Sequence, residues 1–477
     1  MDVLAQDATG QLSALAAGDT TAVALLGASV ARADAIAGRI NAVVARDLGR
    51  AVDDARRIDE RRARGEQLGR LAGLPMTIKD ILDVEGLPAS AGIAGETNRT
   101  ATDAVVVARA RAEGAVIWGK TNVPVRGSDH QTYNPVYGVT NNPWDVTRTP
   151  GGSSGGAAAA VAAGVTALEI GSDIGGSLRT PASFCGVFAH KPTFGLVPQL
   201  GHWPPDQAAD VDMGVIGPLA RSARDLSLLL AIIAGTPPSD HLPLQLKEVR
   251  IALWLDEPTF ALDGDARTPL EAFAAKLAAA GAVVEPIGSP VDADLLVRTY
   301  TLLLYPIVTA EAGFAERALY EVLRTPAKLV RALGAGPLSP AQAILAASAR
   351  HRDWLRADNA RKQLRRAAEA VFETYDVILA PSAPVPPFKH DHRPLHRRSL
   401  RLSDGRKRPY TEPLAWHALA SVCGLPSTAI PAGLSAAGLP IGAQLIGPHG
   451  ADFDVLAIAE AIDRELGGLF VAPPLAS

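Results

Sequence analysis

The chain has 477 residues, of which 48% are hydrophobic and 20% charged, a composition typical of globular proteins with a large buried core. Its formal net charge of −4 gives no indication of binding to nucleic acid or to an anionic membrane. Two cysteines exclude a disulfide framework and favour a reducing compartment. The N-terminus lacks the basic and apolar regions of a signal peptide. We therefore expect a cytoplasmic protein that associates with neither a membrane nor a nucleic acid.

The first third of the chain is predicted to begin with helices and then to add strands. Residues 1–70 have helical patterns and are expected to form an N-terminal segment packed on the core. The segment GLPMTIKDILDV that follows has a strand pattern and carries Lys79 and Asp80. The later elements of this part are a helix at 103–113, a strand at 115–118 and a loop rich in Asn, Pro and Gly at 134–150.

The stretch 150–181 holds two serines that are flanked by glycines, Ser153 and Ser177. Between them, the methyl side chains of 157–163 predict a closely packed helix, and 166–170 predicts a buried strand. Glycine permits backbone conformations and close approaches that a Cβ atom would block. A serine in such a turn can be exposed as a nucleophile. One Gly/Ser loop is usually only a loop, whereas two in one tight unit favour a catalytic site.

The rest of the chain alternates between strands and helices. The predicted elements are, in order, a helix at 222–234, a strand at 249–255, a helix at 268–280, a strand at 282–287, largely helical regions at 292–333 and 340–375, a strand at 377–380, a helix at 414–422, strands at 428–430 and 441–446, and a helix at 452–466. This alternation predicts an α/β fold with a large sheet covered by helices on both faces. No firm domain boundary is visible, so we expect residues 71–477 to form a single domain.

Lysine is scarce, because only nine of the 46 basic residues are lysines. A lysine in an apolar stretch therefore needs a reason, since lysine can lose its proton and arginine cannot. Burial disfavours the charged form of Lys79 and can make it a neutral base. The alternative is a surface ion pair between Lys79 and Asp80.

Three literal motifs point to other functions, and their contexts argue against each. GxxxxGK[ST] at 114–121 follows a helix and encloses apolar residues, which favours a core strand over a nucleotide-binding loop. GxSxG at 151–155 follows a loop with two prolines, whereas the nucleophile elbow of a serine esterase follows an apolar strand. His390, His392 and His396 lie in a polar loop with no cysteine beside them. We expect no metal and no cofactor.

Longer motifs resemble one family. PGGSSGGAAAAVAAG and GSDIGGSLRTPASFCGVFAHKPTFG closely resemble the signature of the amidase signature family of serine hydrolases, and GLPMTIKD, GKTNVP and GLPSTAIPAG resemble further segments of it. The resemblance is dense over 71–230 and returns in patches to the C-terminus. It implies the amidase signature fold, with a large mixed twisted sheet. Region 236–410 diverges and is expected to face the substrate.

The resemblance also implies a catalytic triad. Ser177 would be the nucleophile, Ser153 a bridging serine held by a cis peptide after Gly152, and Lys79 the final base. An amide is unreactive, so a serine that attacks it needs both a base and an oxyanion hole. Ser153 can accept a proton on one side and donate one on the other, and can thus relay between Ser177 and Lys79.

Further residues are expected around this triad. The backbone N–H groups predicted to form the oxyanion hole belong to Ile174, Gly175, Gly176 and Ser177. The predicted substrate-binding residues are Gly127, Asp129, Gln131 and Ser154. Family members often carry Glu-Phe where this chain has Val125 and Arg126, so the substrate does not follow from the resemblance.

The expected function is hydrolysis of a carboxylic amide through an acyl-enzyme on Ser177. We expect a small-molecule amide as substrate, no nucleic acid or membrane partner, and a monomer or homodimer. The alternative is the amidase subunit of a tRNA-dependent amidotransferase, which works with partner chains. The segment AHKPTFGLVP looks more like free-standing amidases and favours the free enzyme.

Overall fold

The computed structural model describes residues 3–96, 102–204, 209–237, 243–310 and 312–475. The strands in these ranges are β1 (Val43–Arg46), β2 (Pro75–Lys79), β3 (Val116–Thr121), β4 (Tyr133–Asn134), β5 (Gly138–Val139), β6 (Leu168–Asp173), β7 (Phe188–Lys191), β8 (Val215–Ala220), β9 (Arg250–Leu253), β10 (Val283–Pro286), β11 (Val377–Pro381), β12 (Ser399–Arg401), β13 (Lys407–Pro409), β14 (Ser427–Leu434) and β15 (Pro440–Ile446).

The helices in the same ranges include every long helical region that the sequence predicts. They are α1 (Ala8–Ala17), α2 (Ala22–Ile40), α3 (Leu48–Ala63), α4 (Val105–Ala112), α5 (Gly155–Ala162), α6 (Arg179–Cys185), α7 (Ala223–Ala234), α8 (Gly264–Ala279), α9 (Ala293–Val308), α10 (Phe314–Ala332), α11 (Pro340–Ala347), α12 (His351–Val371), α13 (Pro413–Cys423) and α14 (Asp452–Glu465).

Eleven strands form one sheet in the order β1-β3-β2-β6-β8-β7-β14-β15-β11-β9-β10. Strands β3, β2 and β6 run parallel, as do β11, β9 and β10, whereas the central pairs from β6 to β15 are antiparallel. The prediction of a large mixed sheet in an α/β fold is thus confirmed. Strands β2, β3 and β6 are buried along their whole length, which explains their mostly apolar sequences.

Helices cover both faces of the sheet, as predicted. The core on one face includes residues of α4, α7, α8 and α14, and the core on the other includes residues of α2, α3, α5 and α6. Successive side chains of a strand point to opposite faces. Met76 and Ile78 of β2 belong to the first core, so Thr77 and Lys79 point to the face that α5 covers. This alternation places Lys79 beneath the glycine-rich start of α5.

Several elements differ from the prediction, and three of them lie in the main sheet or against it. The N-terminal segment is not wholly helical, because β1 pairs antiparallel with β3 and forms one edge of the sheet. Strand β8 was not predicted, since Gly217 and Pro218 interrupt its pattern, yet it pairs with β6 and β7. Helix α6 was not predicted either, because it has only seven residues and contains a proline. Long-range pairing and packing, which have no local signal, stabilise all three.

The packing of α5 on the sheet can be tested at Gly156. A Cβ atom at this position would overlap the backbone nitrogen and carbonyl oxygen of Asn122, which follows β3. Because backbone atoms cannot move aside easily, Gly156→Ala is expected to lower the free energy of unfolding by about 1–3 kcal/mol. Gly27→Ala in α2 is the control, since a Cβ there meets nothing within 4 Å. It is expected to raise stability by up to about 1 kcal/mol. Urea unfolding followed by circular dichroism measures both, and wild-type stability of Gly156→Ala would contradict this packing.

Candidate active site

Lys79 is fully buried at the end of β2. Its Nζ atom lies 2.8 Å from Ser153 Oγ, 3.1 Å from Ser172 Oγ and 3.3 Å from the carbonyl oxygen of Ser172. No carboxylate in the described ranges forms a salt bridge with it. Burial lowers the pKa of Lys79 to about 7, although the more distant Asp173 and Glu169 act in the opposite direction. A substantial fraction of Lys79 is therefore uncharged at neutral pH, as a base requires.

Ser153 lies in the glycine-rich turn that leads into α5. The peptide bond between Gly152 and Ser153 is cis. The Ser153 side chain is almost fully buried, and its Oγ atom would lie 3.4 Å from a Cβ atom on Gly127. The turn thus holds Ser153 between Lys79 and the segment that contains Gly127.

Ser177 lies in the loop after β6 and is half-buried. It lines the same pocket as Ser153, and its carbonyl oxygen accepts a hydrogen bond from the Ser154 N–H, with an N···O distance of 3.1 Å. The Ser177 hydroxyl forms no hydrogen bond to any residue that the structure describes. The structure therefore brings the three predicted catalytic residues to one place, with the hydrogen bond between Lys79 and Ser153 already formed.

The loop that carries Ser177 is held by Asp173. Its carboxylate accepts hydrogen bonds from the N–H groups of Gly176 and Leu178 and pairs with Arg179 at 3.0 Å. Burial raises the pKa of Asp173, but Arg179 outweighs it and holds this pKa well below its ordinary value. Asp173 and Arg179 thus brace the loop.

Three of the four N–H groups predicted for the oxyanion hole are open. Those of Ile174, Gly175 and Ser177 donate to no described residue, whereas the N–H of Gly176 is occupied by Asp173. The Tyr300 hydroxyl donates to the carbonyl oxygen of Ile174 at 2.9 Å and fixes the start of the loop. Donors held in this way can stabilise a developing negative charge without reorganising.

Because Gly176 has no side chain, the ring of a buried histidine can pack directly against it. The Gly176 φ of +94° is a left-handed conformation, and a Cβ atom here would overlap the ring of His417. His417 Nε2 lies 2.7 Å from the carbonyl oxygen of Ser382, and burial lowers the pKa of His417 to about 3. In the described ranges no histidine is hydrogen-bonded to Ser153 or Ser177, so the geometry gives no support to a Ser-His-Asp esterase.

Two residues of the site were missed by sequence reasoning, Ser172 and His202. Ser172 Oγ lies 2.9 Å from His202 Nε2, and His202 Nδ1 lies 2.5 Å from the carbonyl oxygen of Trp203. Burial, with help from Lys79, lowers the pKa of His202 to about 4, so the ring is neutral at pH 7. Neutral His202 donates a hydrogen bond through Nδ1 and accepts one from the Ser172 hydroxyl at Nε2. No sequence motif or characteristic spacing links Ser172 with His202. The only signal in the sequence was a polar residue, Ser172, at the end of an apolar strand.

This chain of hydrogen bonds sets the direction of proton transfer at Lys79. Because the Ser172 hydroxyl donates to His202, its oxygen accepts an N–H from Lys79. The second N–H of the neutral amine points to the carbonyl oxygen of Ser172. The lone pair of Lys79 then remains for the proton of Ser153.

The pocket beside Ser177 has a volume of about 130 Å³ and a mainly apolar wall. Its apolar lining consists of Ile81, Ile174, Trp203, Pro204, Val211, Val215, Ile307 and Val308. Its polar and charged lining includes Arg126, Ser128, Ser172, Asp173, Gln199 and His202. Residues Ile307 and Val308 end α9, so part of the divergent region 236–410 does reach this pocket.

Of the four predicted substrate-binding residues, only Gly127 lies on the pocket wall. Asp129 does not, because its carboxylate is held by Arg398 and Tyr410, each at 2.6 Å. The Gln131 side chain instead donates to the carbonyl oxygen of Asp391 and to Tyr410. Ser154 is buried, and its hydroxyl donates to the carbonyl oxygen of Ser172 at 3.2 Å. These three side chains have their polar atoms satisfied inside the protein and brace the loops around the site.

The remaining motifs have structural roles. Residues Val116–Thr121 of the P-loop-like sequence form β3, and Lys120 is buried, 3.5 Å from Asp80 and 2.6 Å from the carbonyl oxygen of Leu82. This also excludes a surface ion pair between Lys79 and Asp80. Among the described residues no group of three or more His, Cys, Asp or Glu side chains is arranged to hold a metal. None of the helices in the described ranges has the length and apolarity needed to cross a bilayer.

A mixed sheet covered by helices, with Ser153 and Ser177 at one pocket and buried Lys79 hydrogen-bonded to Ser153, is the arrangement expected of an amide-cleaving enzyme. The Amidase family model matches residues 24–456, and the chain belongs to this family of amidase signature enzymes. It is 34% identical over 467 residues to a glutamyl-tRNA(Gln) amidotransferase subunit of Moorella thermoacetica, an alignment that covers 92% of each chain.

Solved structures agree with this family. An amidase crystal structure has a TM-score of 0.78 with this chain and is 29% identical to it, with 96% of this chain and 99% of that chain covered. A structure described as a vestigial protein complex, related to the origins of an s-triazine catabolic enzyme, has a TM-score of 0.80, 29% identity and coverage of 98% and 99%.

These relatives contradict one expectation from the sequence. A small-molecule substrate, no nucleic acid, and a monomer or homodimer were expected. The Moorella relative is named as one subunit of an enzyme that acts on glutamyl-tRNA, and the s-triazine-related structure is described as a protein complex. The expectation was wrong because a net charge describes the whole surface, whereas partner binding depends on local surfaces.

The pKa of Lys79 generates a test of its role as base. Because only neutral Lys79 accepts a proton, amide cleavage is expected to fall as the pH drops below about 7, by tenfold per pH unit once Lys79 is mostly charged. Lys79→Ala is expected to lose about 10²- to 10⁴-fold in kcat/KM, and Lys79→Arg is expected to fail as well, since arginine stays protonated. The measurement is kcat/KM between pH 5 and 10.

The control for this profile is His449→Ala, which removes an exposed histidine far from the hydrogen-bond chain around Lys79. It is expected to leave the acid limb in place. A folded Lys79→Ala enzyme at near wild-type rate would exclude Lys79 as the base.

Proposed function

We propose that the protein cleaves a carboxamide through an acyl-enzyme on Ser177, with Ser153 and Lys79 as the proton relay. The observation that carries this proposal is the hydrogen bond between buried Lys79 and Ser153 at the pocket that Ser177 lines. In the first step, Ser177 Oγ attacks the amide carbon while its proton passes to Ser153, whose own proton passes to Lys79. The open N–H groups of Ile174, Gly175 and Ser177 support the proposed oxyanion hole.

The second half of the reaction uses the same relay in reverse. The tetrahedral intermediate collapses, the C–N bond breaks, and the proton returns through Ser153 to the leaving nitrogen. An amine or ammonia departs, and Ser177 keeps the acyl group. Water, deprotonated through the same relay, then attacks the ester carbon and releases the carboxylic acid and Ser177.

The position of the divergent region 236–410 at the pocket supports a role for this region in the choice of substrate. Ile307 and Val308, at the end of α9, form one wall of the pocket. We propose that this region sets the shape of the substrate, while β2, β6 and the start of α5 perform the chemistry.

A second function is favoured by a specific observation, the 34% identity to an amidotransferase subunit over 92% of both chains. In that function the nitrogen released at Ser177 is transferred to a glutamyl group on tRNA, and the chain works within a complex. The proposed chemistry at Ser177 is common to both functions, which differ in what receives the nitrogen.

The nucleophile is tested by covalent labelling. A fluorophosphonate probe is expected to form an adduct with Ser177, because this hydroxyl has no internal partner among the described residues and faces the pocket. Ser177→Ala is expected to remain folded and to lose both labelling and amide cleavage, whereas Ser13→Ala on the exposed face of α1 keeps them. Peptide mass spectrometry locates the adduct. An adduct on Ser153 or Cys185, with Ser177 unmodified, would show that the nucleophile is misassigned.

The acceptor of the nitrogen is tested by purifying the tagged chain from its native host. If the chain works as part of an amidotransferase, it is expected to co-purify with other chains and to convert glutamyl-tRNA(Gln) to glutaminyl-tRNA(Gln) in the presence of ATP and an amide donor. The same preparation with Ser177→Ala is the control and is expected to require added ammonium. A lone polypeptide that hydrolyses amides and amidates no tRNA would exclude this second function.

A further inference from the structure

One charged side chain on the pocket wall has no role in the chemistry described above. Arg126 lines the pocket together with Ser153 and Ser177, and its side chain is exposed. Within the described ranges its guanidinium donates no hydrogen bond and forms no salt bridge. Its guanidinium carbon lies 5.9 Å from the ring centre of Trp203. Trp203 lines the same pocket, so the cation is held at the pocket wall.

The backbone at Arg126 is strained. Its φ of +55° and ψ of +18° are left-handed, a conformation that is uncommon for residues other than glycine. Its N–H donates to the carbonyl oxygen of Ala91 at 2.8 Å, which helps to hold this conformation. The next residue, Gly127, packs against Ser153 and Ile81. Strain of this kind persists where surrounding structure enforces it and is frequent at functional sites.

The other charges at the pocket are already balanced. Asp173 pairs with Arg179, and Asp129, just behind the wall, pairs with Arg398. Lys79 and His202 are neutral in a large fraction of molecules at pH 7, because burial lowers both of their pKa values. The guanidinium of Arg126 is therefore a positive charge with no negative partner among the described residues of a largely apolar pocket.

We propose that Arg126 binds a carboxylate at the far end of the substrate, and that the preferred substrates are monoamides of dicarboxylic acids. This inference rests on the proposed amide cleavage at Ser177. Apolar wall residues such as Ile81 and Val308 suit the methylene chain between the two ends of such a molecule. The planar guanidinium offers two parallel N–H donors to a carboxylate. Among the described residues, the site has no unpaired carboxylate that would favour a cationic substrate instead.

The test compares substrates that differ only in the distal group. Wild-type enzyme is assayed with succinamate, glutaramate and adipamate and with the neutral amides butyramide, pentanamide and hexanamide. The best carboxylate-bearing amide is expected to have a kcat/KM at least about tenfold higher than its neutral counterpart, since a charged hydrogen-bonded pair is replaced by an apolar end. Equal or better turnover of the neutral amides would overturn the proposal.

Variants at 126 separate charge from backbone strain. Arg126→Gln is expected to lose about 10- to 100-fold on the anionic amides and less than about threefold on the neutral ones. Arg126→Gly is expected to lose the same selectivity but to melt at a higher temperature, because glycine adopts φ of +55° without strain. Arg56→Gln, on the exposed surface of α3, is the matched control and is expected to change neither property. Equal losses on both substrate series would assign Arg126 a purely structural role.

A binding measurement separates failure of this inference from failure of the proposed chemistry. Glutarate and adipate are titrated by calorimetry into the Ser177→Ala enzyme, in which cleavage is removed. Binding that disappears in the double variant Ser177→Ala/Arg126→Gln supports the carboxylate site even if Ser177 is not the nucleophile. Binding that is unchanged by Arg126→Gln, or absent throughout, overturns the carboxylate site even if Ser177 is labelled as expected.

Discussion

The burial of Lys79 away from any directly paired carboxylate is the constraint on which the site depends. Removing an ammonium group from water costs several kcal/mol, so the neutral amine becomes accessible near pH 7. Its neighbours are the oxygens of Ser153 and Ser172, which hydrogen-bond to a neutral amine. Asp173 would restore the charge if it paired with Lys79, but it is bound to Arg179. The buried ion pair thus both braces the nucleophile loop and keeps its negative charge away from the base.

Close backbone packing makes this burial possible. A Cβ atom on Gly155 or Gly156 would overlap Thr132 or Asn122, and one on Gly176 would overlap His417. Small residues at these positions let α5 and the loop after β6 approach the end of β2. Because interiors are close-packed, a single added methyl group here would force the neighbouring residues to shift. The glycines of the signature therefore act through geometry, while the serines and the lysine are the residues proposed to supply the chemistry.

The partners implied by the names of relatives show where composition fails as a guide. A net charge of −4 is a sum over the whole surface and gave no indication of the tRNA-linked enzyme of which a relative is named as one part. The pocket beside Ser177 shows the same contrast between average composition and a local charge. We propose that one arginine on an apolar wall decides which ligands this pocket binds, because a charge acts most strongly on groups within a few ångströms.

The sequence by itself determined the α/β class and most strands and long helices, because periodicity is a local signal. The candidate residues Ser177, Ser153 and Lys79 followed from the glycine-serine turns and the apolar context of Lys79 together with the resemblance to the amidase signature family. Only the tertiary structure decided that β1 and β8 belong to the sheet, since strand pairing joins distant segments. It also decided that Asp129 braces a loop, that the Gly176 N–H is occupied, and that His202 reaches Lys79 through Ser172. Hydrogen bonds between residues far apart in the chain leave no trace in spacing, so these roles required the fold.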